Sequence, residues 1–223
     1  MVYTDKSFLL PEKLVYNGKM KGRKYIVGID EAGRGPLAGP VSVAGVLFEK
    51  KSVRRLERLF LLIKGKDSKK LNEKQRDFWF EVIQKEERAG NIKIAHFLIS
   101  ETHIDTKGIV SAVFLGLEKS LKKLEVVAIE TEVLLDGALR APKEYIYQKT
   151  IIRGDETELS IRLASIVAKV TRDKKMVQLA KKYPEYGFEK HKGYGTKEHQ
   201  KALGQFGLCE IHRKTFIHFE KNY

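Results

Sequence analysis

The chain is short of several things, and each shortage closes off a class of function. It holds a single cysteine, Cys209, so no disulfide can form within it and no cysteine cluster can hold a metal. That scarcity fits a reducing compartment. No apolar run approaches the ~20 residues of a membrane-crossing helix; the stretch 59–63 is far shorter. Asp5, Pro11 and Glu12 near the start suit neither a secretory signal nor an arginine-rich transit peptide. The six histidines never take the His-Glu-x-x-His spacing of a zinc helix, and neither a Gly-x-Ser-x-Gly elbow nor a Walker loop occurs. Gly193-Tyr194-Gly195 is too little glycine for a nucleotide fold. The expectation is a soluble cytoplasmic protein with no membrane partner.

Positive charge is what the chain has in excess. Lysine and arginine number 43 against 29 acids, a formal net charge of +14. Heat-stable surface networks use many charges but need no such surplus of one sign. A polyanion is the natural counterpart, because each neutralised phosphate releases counterions. With 223 residues, 42% of them hydrophobic, the chain can build one substantial core and does not demand two.

Residues 1–24 form a basic extension whose role is open among tail, extra edge strand and nucleic-acid-facing arm. Residues 25–223 read as one α/β domain ending in a small helical part. Strands are expected at 25–32, 41–48, 92–99, 132–135 and 145–152. Helices are expected at 54–63, 72–87, 106–124 and 160–182, with a last one near the end. Asn72 and Gln75 make a capping box for the second. The segment 191–196 reads as a mobile loop.

The run Gly28-Ile29-Asp30-Glu31-Ala32-Gly33-Arg34-Gly35-Pro36 carries the most chemistry. Carboxylates at a strand end suit divalent cations, and glycines around an arginine let the backbone approach a phosphate or sugar. Neighbours on a strand point to opposite faces, so Asp30 and Glu31 share a site only if the strand ends or bulges there, or if one acts through its backbone. Asp136 closes the apolar run Val133-Leu134-Leu135; the loop-like residues after Gly137 argue against a simple hairpin turn. Leu163, Ile166, Val170, Asp173 and Val177 follow helical spacing, which strands Asp173 on an apolar face unless the helix turns outward there, with Arg172 and Lys174 as cover. Four acids from three segments could hold two divalent cations, and all-oxygen ligands favour Mg²⁺ or Mn²⁺ over zinc.

These motifs, in order, make the chain resemble ribonuclease HII. The resemblance runs through Gly28 to Gly35, Asp67-Ser68-Lys69-Lys70-Leu71, Asp136-Gly137, the block from Ser165 to Asp173, and His191-Lys192-Gly193-Tyr194-Gly195-Thr196. It implies a ribonuclease H-like fold, a mixed five-stranded sheet flanked by helices. It implies metal binding and catalysis by Asp30, Glu31, Asp136 and Asp173 with two divalent cations. Gly33, Arg34 and Gly35 would read the 2′-hydroxyl side of a ribonucleotide, Tyr194 would stack on the sugar at the RNA–DNA junction, and Ser68 and Lys69 would lie near phosphates. The implied reaction is hydrolysis of the RNA strand of RNA–DNA hybrids, and nicking 5′ of single ribonucleotides in duplex DNA, by a monomer. Ribonuclease HIII and a non-catalytic hybrid-binding module are the alternatives; the Gly-Arg-Gly turn and the full acid set speak against them. One departure is Ile161-Arg162-Leu163, where the family carries small residues, which puts helix packing near residue 162 in question.

Overall fold

The computed structural model describes residues 22–61 and 71–217. Most of the basic extension and the loop holding Ser68 and Lys69 therefore lie outside the described residues. In chain order the elements are β1 (Tyr25–Ala32), β2 (Val41–Glu49), α1 (Val53–Leu59), α2 (Glu73–Arg88), β3 (Lys93–Ile99), α3 (Glu101–Lys107), α4 (Ile109–Lys123), β4 (Thr131–Asp136), β5 (Gln148–Ile151), α5 (Gly154–Thr157), α6 (Leu159–Lys182), α7 (Phe188–His191) and α8 (Lys197–Phe206).

The five strands form one mixed sheet in the order β3-β2-β1-β4-β5. The first three pair antiparallel; β4 and β5 join β1 in parallel. Every residue of β2 but the last is buried, as expected of a strand covered on both faces. On one face lie α1, α2 and α6, where Phe60, Trp79 and Ile83 pack with Leu163 and Val167. The other face carries α3 and α4, with Leu117 and Leu121 against Val27, Ile29 and Val133. A smaller cluster of Met176, Tyr186, Phe188, Leu203 and Ile211 ties the C-terminal helices to the end of α6.

Helix α6 lies directly on the sheet. A Cβ added to Gly28 would sit 2.1 Å from the Ser160 carbonyl carbon, so only glycine lets that helix approach. Arg162 is buried and uses its guanidinium as a tie: Nε donates to the Asp155 carbonyl at 2.9 Å and Nη2 donates to that of Glu156. A large cation is thus accommodated at the departure from small residues by anchoring α5.

Three expectations need correction. The helix read over 106–124 is two helices, broken at Gly108, whose φ of +83° ends the first while the apolar spacing resumes beyond it. Strand β1 neither ends nor bulges at Asp30 and Glu31; it pairs with β2 as far as Ala32↔Ser42. Only its pairing with β4 stops earlier, at Ile29↔Leu135. The segment 191–196 is pinned rather than loose, for the Leu37 amide donates to the Gly193 carbonyl at 2.8 Å. The capping box of α2 is formed, with reciprocal bonds of 2.9 and 3.0 Å between Asn72 and Gln75.

Candidate active site

Two parallel neighbours, β1 and β4, bring Asp30 and Asp136 to the same level at their carboxyl ends, one step past the Ile29↔Leu135 pair. Crevices beyond such strand ends are where sheets of this kind hold ligands. Alternation along β1 sends Asp30 toward α6, where Ser165 hydrogen-bonds its carboxyl. Glu31 leans the other way and pairs with Arg34 at 3.1 Å. Its amide still donates to Asp30 Oδ1 at 2.8 Å, so the two acids are coupled through the backbone. Asp136 is held from α5, whose first amide, Gly154, donates to its Oδ1 at 2.7 Å. That contact needs Arg153 in the left-handed region, with φ of 55°.

Asp173 reaches the same end of the sheet from α6 and is 6% exposed, so the helix does not turn it to solvent. Lys169 donates to its Oδ1 at 2.9 Å, and Arg76 of α2 stands 3.9 Å from Oδ2. Burial first, then the charges of Glu31 and Asp136, push the Asp30 carboxyl well above the usual carboxylate range. Among the described residues no three acids, imidazoles or thiols close around one point. What fits a hard divalent cation is the chemistry of the set: acceptor-only oxygens, with Asp30 and Asp173 buried and Asp30 under repulsion from like charges.

The turn after β1 is built from its carbonyls. Arg213 and Arg172 are both fully buried. Arg213 donates from Nη2 to Gly33 (2.7 Å), from Nη1 to Arg34 (2.8 Å) and from Nε to Gly39 (2.9 Å). Arg172 donates from Nε to Pro40 (2.9 Å) and from Nη2 to Ala38 (3.2 Å). Burial, then the proximity of Arg172, lowers the Arg213 guanidinium to about 10. Tyr194 joins this surface: its ring is 43% exposed and lies 5.8 Å from the Arg172 guanidinium carbon and 6.0 Å from Lys169 Nζ. Behind it, His199 Nδ1 meets the Tyr194 carbonyl at 2.9 Å and His199 Nε2 meets His212 Nε2 at 3.0 Å.

The structure thus brings Asp30, Glu31 and Asp136 within electrostatic reach of one another at one end of the sheet, with Gly33, Arg34 and Gly35 directly after β1; Asp173 stands farther along α6, linked through Lys169 to Tyr194. Sequence reasoning missed Ser165, Gly154, Lys169 and Arg76, which hold the acids, and both clamping arginines. The alternative in which Arg172 covers a solvent-facing Asp173 fails, because both are buried and Arg172 serves the turn. The signal for that was available, since adjacent helical residues point about 100° apart.

A model of the family described as Ribonuclease HII matches residues 27–219. A ribonuclease HII of Caldicellulosiruptor bescii is 42% identical over 214 residues, covering 96% of this chain and 94% of that protein. Among solved structures, the ribonuclease H2 of Pyrococcus horikoshii OT3 aligns with a TM-score of 0.61 at 27% identity, over 86% of this chain and 93% of that one. Bst-RNase HIII in complex with Mn²⁺ aligns with a TM-score of 0.59 over 82% of this chain and 70% of its own, a likeness of fold alone at 17% identity.

Proposed function

The chain belongs to the ribonuclease HII family of hydrolytic endoribonucleases, and on that premise we propose that it cuts the RNA strand of RNA–DNA hybrids and nicks 5′ of single ribonucleotides in duplex DNA, leaving 3′-hydroxyl and 5′-phosphate ends. The observation that carries this reading is the acid set, with Asp30 and Asp173 buried, beside a glycine turn with an open outer face. A Cβ at Gly35 would meet nothing within 4 Å, so the chain's own packing does not call for glycine there. Close approach by a ligand does, and the 2′-hydroxyl is the mark that separates RNA from DNA.

In this reading Asp30, Glu31, Asp136 and Asp173 would hold Mg²⁺ or Mn²⁺. When bound, two such cations ease deprotonation of an attacking water and neutralise charge on the departing oxygen. The chain's own groups set the stage. Ser165 and the Gly154 amide orient Asp30 and Asp136, Arg34 holds Glu31, and Lys169 with Arg76 supplies positive charge at Asp173. Tyr194 offers a half-exposed ring for a sugar to rest on. Ser68 and Lys69 are proposed for the phosphates. The reading includes a catalytic domain at 25–223 preceded by the basic extension 1–24, and a cytoplasmic monomer. Among the described residues no helix is long and apolar enough to cross a membrane.

The test pairs a DNA duplex holding one ribonucleotide with an all-DNA control, in Mg²⁺. Cutting of the first alone, on the 5′ side of the ribonucleotide, is expected. An uncut single-ribonucleotide duplex alongside cut hybrids would overturn the assignment, and an Asp30→Asn variant as fast as wild type would overturn the role of the acids.

A further inference from the structure

Arg213 lies 180 residues along the chain from Gly33, yet its guanidinium meets the carbonyls of both Gly33 and Arg34. In a trans peptide the C=O and the following N–H point in opposite directions. Drawing the Gly33 carbonyl inward therefore turns the Arg34 amide outward, and drawing in the Arg34 carbonyl does the same for the Gly35 amide. Both residues are exposed, and among the described residues neither amide has a hydrogen-bond partner. The two glycines divide the work. Gly33, with φ of +92°, must be bare on its inner side, where a Cβ would lie 1.9 Å from Arg172 Nε; Gly35 is bare on its outer side.

We propose that Arg213 is a positioning residue for ribose recognition: by holding the Gly33 and Arg34 carbonyls inside the protein, it presents the Arg34 and Gly35 amides to the sugar of the ribonucleotide to be cut. This rests on the reading of the turn as the ribose-recognising element. An arginine is needed because the planar fork reaches three carbonyls at once, whereas a lysine offers a single point charge without that geometry. Phe216 lies 5.2 Å from the guanidinium carbon and steadies it from behind.

The experiment measures, without metal and so without cleavage, the affinity of the protein for a DNA duplex holding one ribonucleotide against an all-DNA duplex. Arg213→Lys is expected to bring the preference for the ribonucleotide close to one, with all-DNA affinity kept within about twofold because phosphate contacts ignore the sugar. With metal added, kcat/KM on the single ribonucleotide should fall on the order of ten- to a hundredfold. A merely structural role would shrink the folded fraction and leave the preference of the folded molecules unchanged; that result overturns the proposal. Should Arg213→Lys fail to fold, Phe216→Leu removes the ring that steadies the guanidinium and so loosens the clamp, and an unchanged preference there overturns it equally. Gly35→Ala separates the two levels. If it leaves the preference intact, the reading of the turn falls; if it removes the preference while Arg213→Lys retains it, the positioning role alone falls.

Discussion

Asp30 is held in a state it resists. Its carboxyl is buried, feels the negative charges of Glu31 and Asp136, and is held well above the ordinary range. A carboxyl whose folded value is raised destabilises the fold once pH climbs past its unfolded value near 4. Asp30→Asn keeps the hydrogen-bonding shape and removes the charge, so in metal-free buffer at neutral pH its Tm should rise by a few degrees, read by calorimetry, while cleavage falls on the order of a hundredfold or more. The buried histidines obey the opposite sign. The Cys209 amide donates to His212 Nδ1 at 2.9 Å, so the His212 Nε2–H points at His199 Nε2, and His199 Nδ1–H at the Tyr194 carbonyl. Both imidazoles are neutral, His212 lowered by burial, and then by His199, to about 4. The unfolded chain takes up a proton near pH 6.5 that the native chain refuses until about 4, so stability falls as pH drops through that window, by up to about 3 kcal/mol from His212. Tm measured between those pH values should show this slope, and His212→Gln should flatten it.

Element α6 does more than pack. It carries Asp173, Lys169, Ser165 and Arg172, and its closeness to β1 depends on Gly28. Gly28→Ala forces the helix backbone off the strand and should cost about 3 kcal/mol, at the upper end for overpacking, as read from urea unfolding; activity should fall with it because Asp173 and Ser165 move away from Asp30. Legibility in the sequence divides along the same lines. Strand positions and the α2 cap follow from local pattern, since alternation and capping are written in neighbouring side chains; the order β3-β2-β1-β4-β5 is not written locally, and the spacing around Asp173 left its burial and an outward turn of the helix both open. The break at Gly108 is not written locally either, because the apolar period runs on both sides of it. Arg213 left no trace at all: its partners are backbone carbonyls, which every residue has.

At the scale of the whole molecule, a net charge of +14 accompanies the acid set, so the charge that would draw a duplex in and the charge proposed to hold the cations have opposite signs. Affinity for duplex should fall about a thousandfold between ~50 and ~200 mM salt if some six phosphates are contacted, as followed by fluorescence anisotropy. The proposed preference for a ribonucleotide, resting on short-range hydrogen bonds, should change little over that range. The arginine clamp has a consequence for synthesis. Strand β1 and its turn leave the ribosome early, but the guanidinium that holds the turn is made 180 residues later, about 9–36 seconds at ordinary elongation rates. A nascent chain can therefore carry all four acids well before it can hold the turn, so on the proposed reading the means of selecting substrate is completed later than the acid set.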